Sequence, residues 1–343
     1  MIDLILFSYL SLYSKTLDYL NVLDFFDTNV FKFDLNIEND VFTIENDKGY
    51  LKFRLGFEYA LTSSGYYMFV DPIIDIRGEI LISQKVLKQI ENYFNSLKSY
   101  NKPRITSIII DPGHGGHDAG AVVTLNINGY DVVLQEKDFA LTYSIYLSKI
   151  LSNYFINKNI LLTRINDVFL TLKERSEFAN AIKPNFPNNV IFLSIHANDA
   201  PNNEARGVEF WYLPKDSKRE VIKHFKGYDI KGNRYLSELN DILDIKYKYE
   251  SKRLAEILYK VFKNELSETN IRPIREEQWF VIKNSSMPAV LIEMGFLSNI
   301  LDAKLILDYN YMSKFNILIL KSLVEFIIFM KIIFRMYFLN IMQ

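Results

Sequence analysis

The 343-residue sequence contains no cysteine, which excludes disulfide frameworks, thiolate nucleophiles, Cys-ligated zinc and iron–sulfur clusters. Any buried metal must therefore be held by His, Asp or Glu. Only 4 His and 13 Gly are present, so their positions are informative. An excess of one charge is also lacking: 40 Lys and Arg stand against 41 Asp and Glu, a net charge of −1. A nucleic-acid binder would show a basic excess or a basic stripe, so nucleic acid is not an expected partner. Uninterrupted apolar runs long enough for a bilayer are missing too. Leu4 to Tyr13 is too short to span, and in Phe315 to Met342 the residues Lys321, Glu325, Lys331 and Arg335 interrupt every window of about 18 residues. The first run has the length of a signal-peptide core without its basic leader, so residues 1–24 read as a truncated export signal, with an N-terminal helix as the alternative. The second reads as a packed terminal helix whose apolar extension gives membrane contact by an end segment.

At roughly 150 residues per domain the length suggests two units. Residues 25–100 read as a small β-rich accessory module. Short β-prone pieces (Phe31 to Leu35, Val41 to Ile44, Tyr50 to Arg54, Tyr66 to Val70, Glu79 to Ile82) are separated by turn signals such as Asn46-Asp47-Lys48-Gly49, and a helix follows over Val86 to Leu97. After a linker containing Pro103 the pattern changes. Ile105 to Ile110 is a continuous apolar strand of the kind buried on both faces of a parallel sheet. Phe139, Tyr143, Tyr146, Leu147, Ile150, Leu151 and Tyr154 mark a helix, and Thr171 and Glu174 have the spacing of a capping box. Asn159 to Thr163, Val190 to Ile195, Gly207 to Tyr212 and Ala289 to Ile292 read as further strands, and Lys252 to Leu266 as a helix. The alternation predicts an α/β fold: a mostly parallel central sheet with helices on both faces, over residues 104–343 with an insertion at 214–250.

Three strands run into unusual polar residues. Ile108-Ile109-Ile110 leads to Asp111-Pro112-Gly113-His114-Gly115-Gly116, Leu193-Ser194-Ile195 to His196-Ala197-Asn198, and Val290-Leu291-Ile292 to Glu293-Met294-Gly295. Sites collect beyond the carboxyl ends of strands in open α/β sheets, so these three can converge. Glu136 precedes a helix that starts near Asp138, where the chain returns to the same end. His114, His196 and a carboxylate form a two-His, one-carboxylate set of the kind that binds catalytic zinc. Two Glu are available, one as ligand and one as acid/base. Four of the 13 glycines fall within Gly113 to Gly120, which lets the backbone turn tightly around His114. A phosphate-cradling loop is the competing reading of that segment, but it has neither the P-loop Lys-Ser/Thr ending nor the dinucleotide glycine spacing.

The ordered series Asp111 to Gly116, Glu136, Thr163-Arg164, Leu172 to Arg175, Ser194 to Asn198 and Glu293 to Asn299 resembles the zinc-dependent N-acetylmuramoyl-L-alanine amidases of the Amidase_3 type. The resemblance covers about Ile105 to the end and implies zinc ligands His114, Glu136 and His196, one Zn2+ ion, and catalytic Glu293. It also implies cleavage of the amide between the lactyl group of N-acetylmuramic acid and L-alanine of the peptide stem, with peptidoglycan as partner. The alternatives are a zinc peptidase cutting elsewhere in the stem and a catalytically silent wall-binding protein.

His117 and Asn198 are candidates for substrate or indirect metal contact, with an exposed His and a turn Asn as the plainer readings. Arg164 and Arg175 read as fixing loops and helix ends, and His224 as a surface residue. The insertion is expected to be a solvated excursion or a lid whose Glu238 or Asp241 masks the metal. The expected location is the cell envelope or periplasm, with an envelope activator or septal protein as partner. The N-terminal module is a candidate wall-polymer or septal-partner binder.

Overall fold

A computed structural model describes residues 19–63, 67–76, 78–98, 105–127, 129–182, 189–221 and 234–341. The chain divides into two compact units, separating at Lys102 and Pro103, and the second ends at Lys331 rather than at the terminus.

The first unit is β-rich, as expected. Strands β1 (Tyr19–Asn21), β2 (Lys32–Asn36), β3 (Val41–Asn46), β4 (Gly49–Arg54), β5 (Tyr59–Thr62), β6 (Tyr67–Phe69), β7 (Ile74–Ile76) and β8 (Glu79–Ser83) precede helix α1 (Gln84–Lys98). β2 to β6 form a sheet in sequence order, and β1, β8 and β7 form a smaller one. The turn signal after β3 works through Asn46, whose side-chain oxygen accepts from the Lys48 and Gly49 amides at 2.9 and 3.2 Å. The module begins earlier than residue 25. Tyr19–Asn21 pairs with β8, and Val22 is fully buried in a 3₁₀ turn over Val22–Asp24, so residues 19–24 belong to this unit and are not helix of the α type. The expected export signal falls on residues 1–18, outside the described residues.

The second unit is built on β9 (Ile105–Pro112), β12 (Asn159–Leu162), β13 (Asn189–Asn198), β14 (Glu209–Tyr212), β15 (Arg275–Glu276) and β16 (Ala289–Phe296), in the spatial order β12-β9-β13-β16-β14-β15. β12, β9, β13 and β16 are mutually parallel, and β14 runs antiparallel to β16. A hairpin, β10 (Val122–Ile127) with β11 (Tyr130–Gln135), interrupts the alternation and forms its own two-stranded sheet. The helices are α2 (Glu136–Tyr154), α3 (Leu172–Ala181), α4 (Arg234–Glu265), α5 (Phe280–Lys283), α6 (Ile300–Leu307) and α7 (Tyr309–Ile341), of which α7 belongs to this unit as far as Lys331.

Period-two alternation in the strands sends residues to opposite faces. Ile108, Ile110, Ile191, Leu193 and Ile195 pack with Leu147 of α2, Leu258 of α4 and Phe315 of α7. Ile109, Phe192 and Leu291 pack on the other face with Ala179 of α3 and Ile282 of α5. That second face turns polar toward the carboxyl ends of the strands, where Asp111, Ser194, His196 and Glu293 continue the same parity. Thr171 caps α3 with the expected box, and Asn299 caps α6 through the Leu301 and Asp302 amides.

The insertion differs from expectation. Helix α4 starts at Arg234, about five turns before the expected Lys252. Its early part packs because Arg219, buried, donates to Asp244 Oδ1 at 2.7 Å and to the Ser285 carbonyl at 3.0 Å, while Asn240 donates to the Arg219 carbonyl. Ser251 Oγ accepts from the Ala289 amide. These anchors lie toward the amino-terminal end of β16, and residues 234–239 precede the first of them on α4. Asp241 is exposed, and the side chain of Glu238 is outside the described residues. For Asp241 the expected masking role gains no support, because its neighbour Asn240 is tied through Arg219 to Ser285, at the end of β16 opposite to the one that carries Glu293. Among the described residues no helix is long and apolar enough to cross a membrane.

Candidate metal centre

His114, Glu136 and His196 each offer a ligand atom, and these atoms lie within 4.8 Å of one another. His114 comes from the turn after β9, His196 from β13 and Glu136 from the first residue of α2. Glu136 bridges the pair: Oε1 is 2.9 Å from His196 Nδ1 and Oε2 is 3.1 Å from His114 Nε2. Its two oxygens also accept from the Ala197 and Ala121 amides, which fixes the carboxylate plane. Donors around a tetrahedral zinc at about 2.0–2.1 Å lie roughly 3.3 Å apart, close to the two nitrogen–oxygen separations of 2.9 and 3.1 Å, and nitrogen and oxygen donors suit such an ion.

Close approach of backbone creates the pocket. A Cβ on Gly113 would stand 2.3–2.7 Å from three atoms of the His196 ring. One on Gly120 would stand 2.5 Å from Glu136 Oε2 and 2.7 Å from the His114 ring. His114 itself adopts φ 55°, a conformation that costs an L-residue about 1–2 kcal/mol. Two arginines hold it there. Arg164 donates to the Pro112, Gly113 and Lys137 carbonyls, and Arg175 to the Pro112 and His114 carbonyls and to Asp111 Oδ1 at 2.9 Å. Buried Asp111 also accepts from Thr163 and Ser194. Both arginines thus fix the loop, as their positions in the sequence suggested.

Asp118, which sequence reasoning passed over, accepts or shares a proton with His114 Nδ1 at 2.9 Å. A carboxylate on the outer imidazole nitrogen orients the ring and leaves Nε2 to face the ligand set. Burial works to lower the His114 imidazole, but hydrogen bonds and charge from Glu136 and Asp118 outweigh it and raise it. Burial works the opposite way on Glu136, and the two histidines outweigh it, holding that carboxyl well below the usual range.

Glu293 pairs with His196 in the β13–β16 register and with Glu209 across to β14. It is 8% exposed, and its Oε2 has no hydrogen-bond partner. Burial, then the charges of Glu136 and Glu209, push its carboxyl well above the ordinary value. A buried carboxyl with an open oxygen next to a metal set is suited to carry a proton during reaction.

The remaining candidates separate from the ligands. His117 is exposed and packs its ring on Phe169 at 4.1 Å between centroids. Asn198 donates to Glu209 Oε2 at 3.0 Å and accepts from the Asp199 amide, so its polar ends are both occupied within the protein. His224 lies outside the described residues. Glu209, also missed, is fully buried between Asn198, Trp211 and Arg272; its only sequence signal was an acidic residue inside the apolar strand Val208 to Tyr212.

The family model described as N-acetylmuramoyl-L-alanine amidase, Amidase_3, matches residues 108–325. A protein of Buchnera aphidicola subsp. Baizongia pistaciae named as an N-acetylmuramoyl-L-alanine amidase is 30% identical over 198 residues, covering 56% of this chain and 82% of that protein. The sporulation-specific N-acetylmuramoyl-L-alanine amidase of Bacillus subtilis is 29% identical over 58% of this chain and 59% of its own length. Among solved structures, the catalytic domain of CwlV, an N-acetylmuramoyl-L-alanine amidase from Bacillus (Paenibacillus) polymyxa var. colistinus, is 27% identical, with TM-score 0.48, over 64% of this chain and 97% of that one.

Proposed function

The chain belongs to the Amidase_3 family of N-acetylmuramoyl-L-alanine amidases, which act on peptidoglycan, and from that premise we propose that it is a zinc amidase of the cell envelope. One Zn2+ ion held by His114, Glu136 and His196 would supply Lewis-acid activation of the lactyl amide and of water. The observation that carries the reading is the placement of Glu293: a buried carboxyl with an unpartnered oxygen, in register with the ligand His196.

The protein residues divide the work. Glu136 and the histidines fix the reacting end, and Asp118 sets the tautomer of His114. Glu293 takes the proton of the attacking water and passes it to the departing L-alanine amine, the transfer that lets a poor amine leave. Asn198, Trp211 and Arg272 keep Glu209 in place beside it. The role fits wall remodelling or septum cleavage in the periplasm or an equivalent envelope space, with an envelope activator or septal protein as a candidate partner.

Metal analysis together with product identification on purified peptidoglycan tests the reading. The expected result is one zinc per chain and stem peptides released with a free L-alanine amine; shortened stems would refute it in favour of a peptidase. Glu293→Gln is expected to keep the zinc and lose about 10²–10⁴ in turnover. Full sacculus-solubilising activity in that variant would remove Glu293 from the mechanism.

A further inference from the structure

The sequence contains 2 tryptophans, and the fold brings both to one place. Trp211 on β14 and Trp279 at the start of α5 meet edge to face, with ring centroids 5.8 Å apart. Trp211 is fixed by its indole N–H, which donates to buried Glu209 Oε2 at 3.1 Å, and by the Arg275 guanidinium, 5.1 Å over its ring. Trp279 and Phe280 remain 41% and 43% exposed, although the next residues of α5, Val281 and Ile282, are core. Large rings left in water at the start of a core-packed helix indicate a contact surface.

The patch is continuous with the metal centre. Glu209 is the cross-strand partner of Glu293, and Trp211 sits two residues further along the same face. With strands about 4.8 Å apart and residues about 3.3 Å apart along a strand, Trp211 lies roughly 12 Å from His196, the reach of about three or four extended residues. The charge is complementary to an acid. Arg272 Nε is 2.6 Å from Glu209 Oε1 and Arg275 is 3.5 Å away, so two guanidinium groups face one carboxylate. Glu276 is turned to the other face of the sheet, onto the Tyr212 hydroxyl, whereas the exposed Glu277 carboxylate accepts from the Gln278 amide and is, among the described residues, the one acid left beside Arg275. Arg275, 45% exposed, keeps donors for a second carboxylate. Sugar stacking is the less fitting use, since Arg275 already occupies one face of Trp211 and the Trp279 ring abuts its side.

We propose that Arg275 and the Trp211–Trp279 pair form a subsite for the acidic part of the stem peptide, holding a free carboxylate of a residue beyond L-alanine while the lactyl amide lies at His114 and His196. The subsite rests on the amidase reading for its substrate class, yet its binding is measurable without turnover. Because both tryptophans lie in the patch, the emission of the intact protein reports on it directly. Titration with L-alanyl-γ-D-glutamyl-L-lysine is expected to change the emission saturably, with the same tripeptide amidated at both the glutamyl α-carboxyl and the lysine carboxyl binding at least about tenfold more weakly. Arg275→Gln is expected to erase that difference, and the wild-type comparison stands even if the variant fails to fold.

Equal affinity for acid and amide overturns the proposal, as does an emission change produced by a chitin oligosaccharide and not by the peptide, or no change with either. Hydrolysis of peptidoglycan without a peptide-dependent emission change retires the subsite alone. Acid-selective binding by a protein that cleaves no muropeptide retires the amidase reading and leaves the subsite standing.

Discussion

Gly113→Ala isolates the steric requirement of the metal centre. Gly113 carries no positive φ, so alanine adds a methyl group there without backbone strain, unlike Gly120 at φ +65°. The new carbon would stand 2.3 Å from His196 Cε1 and 2.5 Å from Nδ1, where ordinary contact begins at 3.4 Å. The backbone under Gly113 is held by Arg164 at its carbonyl and by the Ile195 carbonyl at its amide, so the ring is the part that gives. It must recede by about 1 Å, several times the roughly 0.2 Å tolerance of a metal–ligand distance. Loss of proper ligation by His196 is expected to weaken zinc binding at least about a hundredfold, about 2.7 kcal/mol. Competition against a fluorescent chelator measures this, with the thermal melt of the metal-free protein as control. Wild-type zinc affinity in a folded Gly113→Ala protein would refute the argument that bare backbone at this position makes room for the ligand.

Asp118→Asn is expected to weaken zinc binding by about 10- to 100-fold in the same assay, because His114 loses the carboxylate that sets its ring. Arg175→Met strands buried Asp111 without its cation and should cost about 3–5 kcal/mol, read as a fall in the denaturant midpoint of the metal-free protein. Burial raises the Glu250 carboxyl against the pull of Lys246 at 3.2 Å. The folded state then keeps a proton that the unfolded chain releases first, so stability falls as pH rises above the unfolded carboxylate value. Glu250→Gln should flatten that slope and raise the midpoint at about pH 8 relative to about pH 5; a steeper slope would count against it.

What the sequence disclosed depended on how local the signal was. His114, His196 and Glu293 each end an apolar strand, and Glu136 opens a helix, so four positions could be found from strand ends and an ordered set of motifs. Asp118 escaped because its role exists only once the loop folds back to place Oδ2 on His114 Nδ1. Glu209 escaped because an acid in a short strand reads as solvent-facing until Arg272, Trp211 and Asn198 enclose it. The hairpin β10–β11 did carry a signal, Asn128-Gly129 between two apolar runs, but it fell inside a stretch read for the glycines and Glu136 on either side. The early turns of α4 are charge-rich, and their burial rests on Arg219 and Ser251, distant partners that no periodicity reveals.

The arginine cradle has a consequence for the order of events in the life of the molecule. Arg164 and Arg175 clamp the Pro112, Gly113 and His114 carbonyls, so two guanidinium groups hold the turn that bears the first candidate ligand. The chain is therefore expected to fold without an ion and to load one afterwards. A chelator should then strip the protein without unravelling it, and returning the ion should restore it without a refolding step. On the zinc reading, such a socket would wait in a competent state, and local ion supply would then act as a throttle after synthesis is over.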